Sequence, residues 1–117
     1  MTWNGTRSDT GWANLTLLAA GGSGTCRWRY RNGSVEVEVN TTGATIPIGS
    51  TPTTIVAAGG VPAGSRPANG RWGFAHQGGN ASGFGVVNID GSIAIGAEAA
   101  ASVTRSIVRF SINYIPD

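Results

Sequence analysis

Residues 27–39 read RWRYRNGSVEVEV, and the order of residue types in this stretch decides the fold. Asn32-Gly33 is the preferred pair for a two-residue type I′ turn, whose central residues both need positive φ, so Arg31 and Ser34 should close a β-hairpin. Counting outward sets every cross-strand partner. Tyr30 falls opposite Val35, Arg29 opposite Glu36, Trp28 opposite Val37 and Arg27 opposite Glu38. One face is then aromatic and aliphatic, and the other alternates opposite charges. The apolar face belongs to a core. Arg27, Arg29, Glu36 and Glu38 read as a solvated ladder of ion pairs, worth at most about 1 kcal/mol each.

Strand signals continue on both sides of the hairpin. Residues 1–11 are polar and interrupted by glycine apart from Trp3, and read as an N-terminal arm, leaving 12–117 as a single β domain. Residues 12–19 alternate into a first strand, ended by the turn Gly21-Gly22-Ser23-Gly24. Residues 44–48 and 53–57 are β-prone, but Pro47 and Pro52 confine them to sheet edges or strand ends, because proline cannot donate to a ladder. The loop 59–70, punctuated by Pro62, Gly64, Pro67 and Gly70, delivers a strand over 71–76 in which Trp72, Phe74 and His76 share one face. The Gly-rich loop 77–83 then leads into strands over 84–89 and 92–95. Between these, a three-residue loop with Gly91 as a G1 bulge pairs Val87 with Ile93 and Asn88 with Ser92, matching apolar with apolar. Residues 97–102, AEAAAS, are too few to hold a helix alone and read as a loop or a single turn. Residues 106–115 alternate cleanly, with Val108, Phe110, Ile112 and Tyr114 on the core side and Arg109, Ser111 and Asn113 on the other. Seven or eight short strands with regular turn signals predict an all-β, antiparallel fold, a β-sandwich or jelly-roll-like barrel.

Composition bounds the chemistry. A chain of 117 residues fits one domain that buries about 65% of its unfolded surface. All eight basic residues are arginine, which excludes a P-loop lysine and a Schiff-base lysine. The net charge of +2 is too small to announce a nucleic-acid partner. Cys26 is the one cysteine, so no intramolecular disulfide forms and the thiol reads as a small buried hydrophobe. There is no apolar run near membrane-spanning length and no signal-peptide pattern, so neither a membrane partner nor export by the usual route is expected. Five Asn-x-Ser/Thr sequons, at Asn4, Asn14, Asn32, Asn40 and Asn80, fit a surface rich in these residue types and not glycosylation.

No enzyme constellation emerges, and no metal or cofactor is expected. His76 is the sole histidine, and no GxSxG, HExxH, CxxC or Asp-rich loop occurs. Glu36 and Glu38 point the same way, but the hairpin register gives each an arginine, so neither is a free acid or base. The GFGVVN stretch at 83–88 lacks the third glycine of a dinucleotide fingerprint and runs into a strand, not a helix. Arg27, Arg29 and Arg31 interleave with Trp28 and Tyr30 as in single-strand nucleic-acid platforms, yet in a strand the two sets face opposite ways. The remaining cluster is Trp72, Phe74 and His76, with Arg66, Arg71, Gln77 and Asn80 in the flanking loops. Aromatic faces pack on the apolar faces of sugars while amides and guanidinium groups fix hydroxyls, so Arg66, Arg71, Trp72, His76, Gln77 and Asn80 are the candidate ligand-binding residues, gathered by loops 59–70 and 77–83 at one end of the fold. The plainer reading buries Trp72 and Phe74 in the core and leaves His76 at a strand end.

Four landmarks in fixed order carry a family resemblance: DTGWANLTL at 9–17, the RYRNGSVEVEV hairpin, the turn VPAGSRPA at 61–68, and VVNIDGSIAI at 86–95 before a closing strand that ends in Tyr114. From about residue 9 to the end the chain resembles the C-terminal head domain of bacteriophage tail-fibre and receptor-binding proteins, particularly minor tail proteins of phages of Gram-positive hosts. It departs from them at Ser65, where similar proteins often carry an aromatic, and at Val61, where they often carry leucine. No heptad or collagen-like stalk precedes the domain, as for an excised head or a small self-standing virion protein. The resemblance implies a non-enzymatic antiparallel β head that assembles as a homotrimer, is made in the bacterial host cytoplasm, sits on the virion beside other virion proteins, and binds host cell-wall carbohydrate. The alternative is a structural decoration or fibre-capping module that binds protein, not glycan; a single-stranded nucleic-acid binder is the third reading.

Overall fold

In the computed structural model, which describes residues 9–48, 51–77, 82–97 and 103–116, with the backbone alone for 43–48 and 103–106, strand β2 (Ser23–Arg31) follows β1 (Ala13–Asn14) and turns into β3 (Ser34–Ile48). The turn residues Asn32 and Gly33 have φ of 53° and 83°, as a type I′ turn requires. Tyr30 pairs with Val35, Arg29 with Glu36, Trp28 with Val37 and Arg27 with Glu38, the register counted from the sequence. Val37 is fully buried and Trp28 packs half-buried against the same core.

On its other side β3 pairs with β8 (Val103–Tyr114), Val35 opposite Tyr114, Val37 opposite Ile112, and Val39 opposite Phe110. β3 is therefore an interior strand whose odd-numbered residues from Val35 to Thr41 all point inward and are buried. Past Thr42, the partner of Ser23, β2 no longer flanks it, while pairing to β8 continues through an irregularity between Ala44 and Ile48. The separate peripheral strand expected at 44–48 is thus a continuation of β3. Pro47 falls where one side of the strand has already lost its ladder, so its missing N–H breaks nothing toward β2.

The remaining strands, β4 (Thr53–Val56), β5 (Arg71–His76), β6 (Ser82–Val87) and β7 (Ile93–Ala97), complete an antiparallel all-β fold with lateral order β1-β2-β3-β8-β5-β6-β7-β4. β4 is an edge strand, as its neighbouring Pro52 led us to expect. The β6–β7 turn is the anticipated bulged hairpin: Val87 pairs with Ile93, Gly91 sits at φ 85°, and the Asn88 amide donates to the Ser92 carbonyl at 2.9 Å. β5 and β8 meet at one residue pair, His76 and Arg109, so two four-stranded halves curl around the core from that joint.

The curl closes through residues 15–18. The Leu15 N–H donates to the Cys26 carbonyl at 2.6 Å and the Leu18 N–H to the Ile55 carbonyl at 2.7 Å, lacing the β2 edge to the β4 edge. This shortens the first strand, expected over 12–19, to Ala13–Asn14: beyond Asn14 the backbone donors are divided between two edges and form no single ladder. A 3-10 turn at Ala19–Gly21 follows. At the other end of the arm the Asp9 carboxylate accepts from the Asn32 N–H at 3.0 Å, and the Thr10 N–H donates to the Tyr30 carbonyl at 2.8 Å, fastening the chain to the hairpin turn.

Volume decides which side of β5 and β6 faces inward. A Cβ added to Gly85 would enter the Phe110 ring, and one added to Gly73 would press on Ile112. Gly73, Ala75 and Gly85 leave the space that those two β8 side chains fill, so the large residues of β5 point out. The loop 59–70 is tied down in turn: Val61 is fully buried, and the Tyr114 hydroxyl donates to the Ser65 carbonyl at 2.6 Å.

Two outcomes are expected from this packing. Gly85→Ala forces the Phe110 ring to move and costs about 1–3 kcal/mol in urea unfolding, and adding Phe110→Leu recovers part of the loss. Thr41 buries a hydroxyl with no hydrogen-bond partner among the described residues, so Thr41→Val leaves stability unchanged or raises it by about 1 kcal/mol.

Candidate functional site

The outward face of the sheet divides into two unlike halves. Over β2 and β3 the charges satisfy one another. Arg27 meets Glu38 at 2.8 Å, Arg29 reaches both oxygens of Glu36 at 3.2 and 3.0 Å, and Arg31 adds a longer contact to Glu36 at 3.7 Å. The ring of Trp12 lies 4.2 and 4.3 Å from the guanidinium carbons of Arg27 and Arg29, a cation–π cover over the ladder. Phosphate contacts from these arginines would have to displace both partners.

Over β5 and β6 the face is apolar and bare. Alternation sends Trp72, Phe74 and His76 outward, and Trp72 and Phe74 are 61% and 70% exposed. This corrects the plainer expectation that they belong to the core; Phe110 and Ile112 occupy the inner side that their rings would need. Phe84, opposite Phe74, joins them, with its ring centroid 5.3 Å from that of Trp72 and tilted by 55°. Its ring has room because Gly96 stands beside it on β7; a Cβ there would collide with Phe84. The result is a short aromatic platform held on two paired strands.

The joint between the halves is polar. His76 sits beside Arg109, whose Nε donates to Asn40 Oδ1 at 3.2 Å. An open depression of about 350 Å³, lined by Glu38, Val39, Asn40, Arg109, Phe110 and Ser111, runs along β3 and β8. Aromatic platform, histidine, guanidinium, amide and hydroxyl therefore lie on one continuous surface.

The six candidate residues do not all meet there. Trp72 and His76 lie on this face. Arg71 is exposed but stands one residue out of phase, opposite inward-facing Val87. Arg66 is held within its own loop, its Nε donating to the Val61 carbonyl at 2.7 Å, near Asp90, whose carboxyl is held below its usual range chiefly by the Ser92 hydroxyl and amide. Gln77 is buried, with Nε2 donating to the Gly96 carbonyl at 2.8 Å, and so lies away from the exposed face. Asn80 lies outside the described residues. Loop 59–70 leads into β5 and Gln77 follows its last residue, so these lie at opposite ends of the strand, about 17 Å apart for six residues, not at one end of the fold; residues 78–81 of the expected loop 77–83 lie outside the described residues, and Ser82 and Gly83 belong to β6. The residues missed were Phe84, Asn40, Arg109 and Ser111. The alternation of 106–115 already put Arg109 and Ser111 outside, but only the long-range pairing of β8 with β3 and β5 brings them beside the aromatics.

Burial pushes the Cys26 thiol up to about 12 and the Tyr114 hydroxyl to about 12, so neither is a nucleophile near neutral pH. Among the described residues no group of three or more His, Cys, Asp or Glu side chains could hold a metal ion, and no helix is long and apolar enough to cross a membrane. No protein-family model matches the chain, and no curated protein matches it.

Exposure predicts how substitutions divide. Phe74→Ser should change unfolding free energy by no more than about 0.5 kcal/mol, whereas Ile95→Ala, at a fully buried position, should cost about 2–5 kcal/mol. Urea denaturation of the two variants checks the contrast.

Proposed function

We propose that this chain is a head domain displayed on a bacteriophage virion, at a tail fibre or similar appendage, that attaches the particle to host cell-surface carbohydrate. The class comes from the ordered sequence landmarks. The surface comes from one observation: Trp72 and Phe74 project 61% and 70% exposed from a rigid sheet face instead of filling the core. Large aromatics so placed offer flat apolar faces to pyranose rings, and the neighbouring His76, Arg109, Asn40 and Ser111 offer donors and acceptors to hydroxyls. Binding here is a matter of recognition without bond breaking.

A shallow, open site holds an oligosaccharide weakly. Assembly into a homotrimer compensates, since tethered sites gain about 10²–10⁴ in avidity without a new contact. The second reading, a decoration or capping module that binds another virion protein, draws on the same exposed aromatics, because an apolar patch of this kind is also what a protein neighbour buries.

Co-sedimentation separates the two. The protein is expected to pellet with insoluble bacterial wall polysaccharide and to scatter light as a trimer, and Trp72→Ala should release it from the pellet with mass and melting temperature unchanged. A folded Trp72→Ala variant that pellets as well as the parent moves the attachment surface elsewhere. Absence of the parent from every wall fraction favours the protein-binding module.

A further inference from the structure

The charge balance on the outward face identifies the kind of glycan it suits. Glu36 and Glu38 are taken up by Arg27, Arg29 and Arg31. Asp90 lies at the far turn, bonded to Ser92. Arg109 pairs with no carboxylate among the described residues; its Nε is used by Asn40, and the guanidinium makes no further hydrogen bond or ion pair there. This guanidinium stands in the depression, beside the one histidine, at the border of the aromatic platform. Glu38 shares the depression but its charge is met by Arg27 at 2.8 Å. Among the described residues this surface therefore carries one fork-shaped donor without a carboxylate next to exposed rings.

We propose that this face takes an acidic saccharide, with sugar rings laid on Trp72 and Phe74 and a carboxylate or phosphate substituent received by Arg109. The inference rests on the carbohydrate-attachment reading and adds the sign of the ligand's charge and the residue that reads it. Guanidinium binds both anions through paired N–H donors. β5 lies one strand spacing from β8, and Phe74 and Trp72 stand two and four residues along it from His76, the partner of Arg109, about 7 and 13 Å, so a short oligosaccharide reaches the platform and the cation together.

One backbone polymer supplies matched probes: dextran, carboxymethyl-dextran and phosphorylated dextran, with poly-L-glutamate as charge without sugar. At low ionic strength the full chain is expected to bind one or both acidic dextrans more tightly than dextran or polyglutamate, and the arm that binds tells carboxylate from phosphate. Arg109→Gln should lower that affinity by about 10–100-fold, the equivalent of a lost charge-assisted hydrogen bond, and leave the melting temperature unchanged. Arg109→Lys, which keeps the charge but not the fork, should fall between. Added salt should shrink the preference by screening. Equal binding of neutral and acidic dextran, or an Arg109→Gln variant that keeps the preference, overturns the charge assignment while wall attachment stands. Polyglutamate bound as tightly as the acidic dextrans overturns it too, by reducing the site to bare charge. A Trp72→Ala variant that loses its oligomeric mass shows the face to be an interface between copies and overturns the site. Failure of wall polysaccharide and all three dextrans to bind removes the attachment reading itself.

Discussion

Pairing on both sides of β3 is the constraint on which the rest of the structure depends. Val35, Val37 and Val39 are buried because β2 and β8 both hold the strand in one register. A slip of one residue would turn Glu36 and Glu38 into the core and expose the three valines. The Asn32-Gly33 turn excludes that slip on the β2 side, where Arg27 and Arg29 also lose their partners if the count changes. On the β8 side the same register places Phe110 and Ile112 inward, and through them it governs strands that do not pair with β3.

That second effect runs through volume. Phe110 and Ile112 fill the core against β5 and β6, so those strands present Gly73, Ala75 and Gly85 to the inside. Cores reach native density by setting large side chains against small ones, and here the large ones come from β8. The aromatic side chains of β5 are left on the other side of the sheet, where Phe84 lies over Gly96 in the same large-on-small manner. The exposed platform is thus a by-product of how the core is filled.

The contrast across the outward face follows from the same order of strands. Between β2 and β3, Arg27 and Arg29 each face a glutamate across the ladder, and Trp12 covers both guanidinium groups. Across its two ladders Arg109 of β8 faces Asn40 of β3 and His76 of β5, neither of them anionic. A chain with net charge +2 need not concentrate charge to create a cation of this kind; a guanidinium with no carboxylate partner among the described residues, beside apolar rings, is sufficient.

Local signals alone determined the β2–β3 hairpin, the Gly91 bulge and the inward set on β8, because a turn type fixes strand register and strict alternation fixes a face. The all-β class followed from those signals repeated along the chain. Which face of β5 points inward was not legible, since RWGFAH offers one side of large rings and one of small residues, and alternation ranks neither until the opposing volume is known. That Arg66 Nε meets the Val61 carbonyl and that Gln77 is buried with Nε2 on the Gly96 carbonyl was not legible, because a sequence does not show which carbonyls a side chain will meet. The shortening of the first strand has the same origin, for residues 15–18 carry a good strand pattern but lie between two edges that only closure brings together. The sequence by itself settled what neighbouring residues decide between them, and tertiary structure settled the rest, because volume filling and long-range strand order depend on residues far apart in the chain.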